Sequence, residues 1–284
     1  RRLHILLLSG LCAIQGYRCI EQFRRKRQTI RVYEGGFADM ADGRQITEAV
    51  ILCGGKGTRL KSVVADLPKP LAPIGGKPFL SILMKYLCGQ GVKRIILATG
   101  YMHETMESTY GKAFYGMEIA YSRELTPLGT GGAVAMALKK AESENVLVLN
   151  GDSIIKFSLA ETAKRYFEIK NDFPDIPFPT LLTLKQMENV DRYGAVAFED
   201  GRIKAFEEKA FRKRCFINAG VYILNKETFR DKAVGEVFSF EKDCLEREVK
   251  KGSLFGMESD GFFIDIGVPE DYALARDVLI QRLD

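Results

Sequence analysis

The chain has 284 residues, 46% of them hydrophobic, with 42 Lys and Arg against 37 Asp and Glu, a formal net charge of +5. That length supports one large domain or two small ones with a buried core, and the composition excludes a disordered, collagenous or coiled-coil chain. Residues 1–39 hold eight basic and three acidic residues while residues 40–284 hold 34 of each sign, so the body carries no basic excess for nucleic acid.

Arg1 and Arg2 before the apolar stretch 3–14 imitate a signal peptide. The stretch is shorter than the roughly 20 residues that a spanning helix needs. The basic run Arg24, Arg25, Lys26, Arg27 would suit anionic lipid or RNA. Met40 opens a segment that leads directly into a strand, so Met40 is the expected start, residues 1–45 an extension outside the fold, and residues 46–284 one domain. The six cysteines (Cys12, Cys19, Cys53, Cys88, Cys215, Cys244) form no CxxC pair or metal-ligand spacing, which points to free thiols in a reducing, cytoplasmic compartment.

Residues 49–53 are a short apolar run ending at glycines, as a strand buried on both faces should be. Residues 79–90 place Leu80, Leu83, Met84 and Leu87 on one helical face. Strand 94–99, helix 103–110, strand 117–121, helix 131–141 and strand 146–149 follow. This alternation predicts an α/β fold, a three-layer, Rossmann-like, mostly parallel sheet. Pro174, Pro177 and Pro179 then punctuate a loop. Residues 181–184, 195–198, 203–206 and 221–224 read as added, partly antiparallel strands of the same sheet, with Asp200-Gly201 as a hairpin turn. Residues 269–283 read as a helix opened by Pro269, Glu270 and Asp271. No internal repeat is present.

Directly after the first strand comes Gly54-Gly55-Lys56-Gly57-Thr58-Arg59-Leu60. A glycine-rich turn at the carboxyl end of a buried parallel strand lets bare backbone N–H groups approach phosphate oxygens. It is not a Walker A loop, because Arg59 and Leu60 stand where Lys and Ser or Thr belong, and Leu60 replaces the third glycine of a dinucleotide fingerprint. Within ten residues of it lies Leu67-Pro68-Lys69-Pro70-Leu71.

The two elements together resemble the sugar-1-phosphate nucleotidyltransferase family, over about residues 46–284. The resemblance extends to Leu128-Gly129-Thr130-Gly131-Gly132, Asn150-Gly151-Asp152, Glu207-Glu208-Lys209, Asn218-Ala219-Gly220 and Asp265-Ile266-Gly267. It implies the nucleotide-diphospho-sugar transferase fold. Residues 70–80, 238–243 and 262–272 are most similar to those of D-glycero-D-manno-heptose 1-phosphate guanylyltransferases, which make GDP-heptose for cell-surface glycans. A mannose-1-phosphate guanylyltransferase, another member using a different nucleotide, or a regulatory homologue that keeps the fold without turnover remain alternatives.

The implied reaction is attack of a sugar-1-phosphate oxygen on the α-phosphorus of an NTP, GTP being the expected one, with pyrophosphate leaving. The nucleophile is already anionic, so catalysis rests on positioning and charge neutralisation. By resemblance Arg59, Lys69 and Asp152 are catalytic. Leu52, Gly54, Gly55, Gly57, Thr58, Gly129, Thr130 and Gly131 bind the nucleotide, and Gly151, Glu208, Lys209, Asn218 and Gly220 bind the sugar phosphate. Asp152 and Asp265, each ending an apolar strand, are expected to hold Mg²⁺, a hard ion suited to carboxylate oxygens. The expected partners are an NTP and a sugar 1-phosphate, with neither nucleic acid nor membrane, and a homo-oligomer is compatible.

Overall fold

The computed structural model describes residues 45–283 apart from 56, 58, 59, 61, 62, 65, 66 and 234, so the expected extension lies outside the described residues except for Gln45. The first half runs β1 (Glu48–Leu52), β2 (Pro73–Ile74), β3 (Lys77–Pro78), α1 (Phe79–Gly89), β4 (Arg94–Thr99), α2 (His103–Tyr110), β5 (Ala113–Phe114) and β6 (Met117–Arg123). It continues with α3 (Gly129–Leu138), β7 (Asn145–Asn150), β8 (Ser153–Ile155) and α4 (Leu159–Asp172). The second half adds β9 (Thr180–Val190), β10 (Ala195–Glu199), β11 (Arg202–Phe206), β12 (Arg212–Asn225), α5 (Glu246–Lys251), β13 (Leu254–Glu258), β14 (Phe263–Asp265) and α6 (Pro269–Leu283).

One ten-stranded sheet has the order β10-β11-β13-β9-β12-β7-β1-β4-β6-β5. Its β7-β1-β4-β6 portion is parallel, as the alternation of strands and helices predicts. Beyond β7 the long β12 runs antiparallel to β7 and β9, so the sheet as a whole is mixed. β10 pairs with both β11 and β12, closing the added strands on themselves. Glu199 faces Arg202 across the predicted turn, with Asp200 and Gly201 at φ 50° and 75°, the left-handed pair that a two-residue hairpin requires.

Along β1 the side chains alternate between two cores. Ala49 and Ile51 join Leu83, Leu97, Leu149, Tyr166 and Leu279 on one face, whereas Val50 joins Ile96, Val134, Val148 and Tyr222 on the other. Helices therefore cover both faces, giving the three layers expected. Several helical segments were not foreseen, α4 and the turn leading into α5 among them. α4 is capped by Ser158, whose Oγ accepts from the Glu161 N–H at 3.2 Å, and it buries Leu159, Ala163, Tyr166 and Ile169. A π-helical turn, Phe240–Leu245, leads into α5 and is capped by Ser239. α3 begins at Gly129, two residues before the position expected from sequence.

In this topology β4 and β6 lie to one side of β1 and β7 to the other. The chain switches direction between β1 and β7, and open α/β sheets bind ligands outside the carboxyl ends of the strands at such a point. Among the described residues no helix is long and apolar enough to cross a membrane.

Candidate active site

The carboxyl ends of β1 and β7 are stitched together where the Gly151 N–H donates to the Leu52 carbonyl at 3.0 Å. A Cβ at Gly151 would run into that carbonyl and lie 3.1 Å from Cys53 Sγ, so only glycine lets the two strand ends meet. Asp152, the next residue, leaves β7 at the switch point. Its Oδ2 lies 2.6 Å from Lys69 Nζ, across 83 residues of chain. The lysine side chain is 10% exposed and the carboxylate 40%, so the cation is enclosed while the anion stays open to solvent. Lys69 starts a short 3₁₀ turn, Lys69–Leu71, with Pro68 before it and Pro70 within it. Both rings fix φ, which limits where the lysine points.

β14 pairs antiparallel with β8 so that Asp265 faces Ser153, and the Ile266 N–H donates to the Asp152 carbonyl at 2.9 Å. Asp265 Oδ1 accepts from the Gly267 N–H at 2.6 Å, and Oδ2 accepts from the Tyr193 hydroxyl. A Cβ at Gly267 would stand 2.7 Å from Asp265 Oδ1 and 3.7 Å from Lys69 Nζ. The lysine head and the two strand-end carboxylates thus border one space. Burial and the hydrogen bond to Asp265 push the Tyr193 phenol far up, keeping it a donor. Burial, with a smaller contribution from Asp152, likewise keeps the Cys53 thiol protonated.

The glycine-rich loop leaves β1 beside this space. Gly55 has open space around it, and Gly57, at φ +57°, packs against the Lys69 stem, where a Cβ would lie 3.0 Å from Lys69 Cβ. Thr58 and Arg59 lie outside the described residues. At Gly54 a Cβ would come within 2.8 Å of Glu124 Oε1. Glu124 follows β6, and its Oε2 accepts from the Leu128 N–H at 2.9 Å, at the entry to α3. Desolvation raises its carboxyl above the ordinary range against the opposing effect of that N–H.

The remaining residues divide into two groups. Gly129, Thr130 and Gly131 open α3 but are covered by a strap from the second half. The Gly131 N–H donates to the Phe238 carbonyl at 3.0 Å, and the Phe240 N–H donates to Thr130 Oγ1 at 3.0 Å. A Cβ at Gly131 would enter the Phe238 ring. Their polar groups serve this packing first. Gly220, at φ +75°, passes so close to β7 that a Cβ would lie 2.6 Å from Asn150 Nδ2 and 3.0 Å from Ser153 Oγ. Asn218 sits beside it in a β12 bulge. Glu208 and Lys209 are exposed in the loop between β11 and β12 and make no hydrogen bond or ion pair with Lys69, Asp152 or Asp265. Sequence reasoning missed Tyr193 and Glu124, which reach the site only through strand pairing. The position of Glu124 just after an apolar strand was the available signal.

The family model described as nucleotidyl transferase matches residues 48–281. The chain belongs to the nucleotidyltransferase family. This nucleotidyltransferase is 45% identical over 232 residues to the D-glycero-α-D-manno-heptose 1-phosphate guanylyltransferase of Aneurinibacillus thermoaerophilus, covering 82% of this chain and 98% of that one. It is also 45% identical over 226 residues to the enzyme of the same name from Campylobacter jejuni, covering 79% and 96%. Among solved structures it is similar to HddC from Yersinia pseudotuberculosis complexed with GMP-PN, at a TM-score of 0.70 and 36% identity over 82% of this chain and 100% of that one.

Asp152 and Asp265 provide the carboxylate oxygens that a hard divalent cation takes, so the donor chemistry of the nucleotidyltransferase fits Mg²⁺. Among the described residues no group of three or more His, Cys, Asp or Glu side chains is gathered, so such an ion would complete its shell with water and phosphate oxygens.

Proposed function

We propose that this nucleotidyltransferase transfers GMP from GTP to D-glycero-D-manno-heptose 1-phosphate, giving GDP-heptose and pyrophosphate. The two 45%-identical relatives, of which this chain covers 98% and 96%, support the sugar. The observation that carries the base is the Glu124 carboxylate between the Gly54 turn and the start of α3. A carboxylate is an acceptor on both oxygens. Guanine presents two adjacent donors, N1–H and N2–H, on its Watson–Crick edge. Uracil and thymine present one donor there, flanked by acceptors, and adenine and cytosine pair one donor with an acceptor. Glu124 therefore fits guanine better than any other base.

In this reading the glycine loop, with Leu52, Gly54, Gly55, Gly57 and Thr58, cradles the triphosphate while Gly129, Thr130 and Gly131 shape the base side. Arg59 grips the leaving phosphates with its planar fork. Lys69, already held at Asp152, turns to the α-phosphate and neutralises the charge that builds there. The sugar phosphate is held by Gly151, Glu208, Lys209 and Gly220, with Asn218 shaping that side of the site, so that its anionic oxygen meets the α-phosphorus in line. No protein base is needed, because the nucleophile carries no proton to lose. Mg²⁺ would be held by Asp152 and Asp265, supplying charge stabilisation at the reacting phosphates. Tyr193 and the Gly267 N–H aim Asp265.

The reaction belongs in the cytoplasm, where GTP and Mg²⁺ are supplied; the described cysteines, Cys53, Cys88, Cys215 and Cys244, are free thiols. Its product serves the synthesis of cell-surface glycans such as lipopolysaccharide, capsule or S-layer glycan. The test is pyrophosphate release with each of five NTPs (ATP, GTP, CTP, UTP, dTTP) against heptose, mannose and glucose 1-phosphates. The reading expects the highest kcat/KM for GTP with heptose 1-phosphate. A preference for another pair overturns it.

A further inference from the structure

We infer that Glu241 is a specificity-determining residue of the sugar site, accepting hydrogen bonds from hydroxyls of the bound sugar 1-phosphate. This rests on the proposed reading that a sugar 1-phosphate is the acceptor substrate. Asn218 is the residue that resemblance assigns to the sugar. Its Nδ2 donates to the Tyr222 hydroxyl at 2.8 Å and to Glu241 Oε1 at 3.0 Å. Its Oδ1 accepts from the Gly220 N–H at 2.9 Å and meets the same Tyr222 hydroxyl at 3.1 Å. An amide side chain has two donors and two acceptor positions. All four are engaged within the protein, so Asn218 is saturated before any sugar arrives.

The unused capacity lies one step outward, on Glu241. It is exposed, its Oε1 takes one bond from Asn218, and its Oε2 has no hydrogen-bond partner among the described residues. Glu241 borders the reacting centre. Its partner Asn218 also accepts from the Gly220 N–H, and a Cβ at Gly220 would lie 2.6 Å from Asn150 Nδ2 and 3.0 Å from Ser153 Oγ, the residues on either side of Gly151 and Asp152. The backbone that carries Glu241 is fixed on both sides. The Phe240 N–H is bonded to Thr130 Oγ1, the Phe240 ring packs edge-on to Tyr222 with centroids 4.9 Å apart, and Ser239 caps the π-helical turn that holds both residues.

π-Helical turns occur frequently at functional sites. A free carboxylate beside a centre that gathers phosphates repels them, so its position is useful only towards the neutral, hydroxyl-bearing end of a substrate. It would turn the sugar ring with hydroxyls towards Glu241 and phosphate towards Lys69. A carboxylate can accept two adjacent hydroxyls at once, the pattern of a polyol.

Steady-state kinetics of Glu241→Gln and Glu241→Ala, with the sugar 1-phosphate that the wild type uses best, test this assignment. KM for the sugar phosphate should rise by about 10- to 100-fold in Glu241→Ala, the loss expected for hydrogen bonds to a charged acceptor. KM for GTP should stay within about twofold, and Glu241→Gln, which keeps one acceptor, should fall between. An unchanged KM for the sugar phosphate in a folded variant overturns the inference, as does an equal rise in both KM values. Should Glu241→Ala fail to fold, Glu241→Gln decides by the same criterion. If the wild type prefers a sugar other than heptose, the substrate reading fails while the Glu241 assignment is measured on that sugar.

Discussion

Lys69 and Asp152 meet at 2.6 Å at the switch point of the sheet, the lysine from a proline-braced turn and the aspartate from the end of β7. The pair brings a cation to the mouth of the site and holds it enclosed beside an accessible carboxylate. Lys69→Met should lower kcat at least 100-fold, the scale of losing a preorganised charge at a reacting centre. Lys69→Arg should not rescue it, because a guanidinium fork does not reproduce a point charge. Initial rates at saturating substrates check both variants.

Glu124→Gln replaces a double acceptor with one acceptor and one donor, the complement of a uracil or thymine edge. The variant should lose discrimination for GTP over UTP by about 10-fold or more, read from the ratio of kcat/KM values. The wild type should also show a pH effect that the variant lacks. Desolvation raises the Glu124 carboxyl, so the ionised acceptor is present above that raised value and lost as pH falls through it. KM for GTP should therefore climb on the acid side at a higher pH than for an ordinary carboxylate, and be flat there in Glu124→Gln.

Tyr193 donates to Asp265, and Arg192 beside it pairs with Asp271 at the start of α6. Groups that orient metal-binding carboxylates change metal affinity by about 10- to 100-fold when removed. Tyr193→Phe should weaken Mn²⁺ binding on that scale, measured by titration of the nucleotide-free protein, while the melting temperature moves little.

Gly131→Ala would drive a methyl group into the Phe238 ring and loosen the strap over α3. Overpacking of this kind costs about 1–3 kcal/mol. Denaturant unfolding should show that loss, accompanied by a raised KM for GTP because the strap anchors the helix entry.

Much of this was readable from residue order. An apolar run that halts at glycines announces a buried strand with a ligand turn, and Asp152 and Asp265 stand out because each closes such a run. α4 was not read from the sequence, although Ser158 and Glu161 have capping-box spacing ahead of a periodic apolar face. Tyr193, Glu124 and Glu241 were not legible. Tyr193 and Glu241 act through partners 72 and 23 residues away, which only folding brings together, and Glu124 meets the Gly54 turn, 70 residues earlier, only because β6 and β1 share a sheet. Thr130 and Gly131 resemble ligand groups in sequence, yet their polar atoms are claimed by Phe238 and Phe240, more than 100 residues downstream.

In the proposed function the strand-end carboxylate at the switch point serves nucleotidyl transfer and not the fold. Asp152→Asn keeps the side-chain shape and a hydrogen-bonding oxygen for Lys69 while removing the charge. With GTP, heptose 1-phosphate and Mg²⁺ at saturation, its kcat for pyrophosphate release should fall by about 100- to 1,000-fold with an unchanged melting temperature. Turnover within a few-fold of the wild type would show that the Asp152 charge has no part in the transfer.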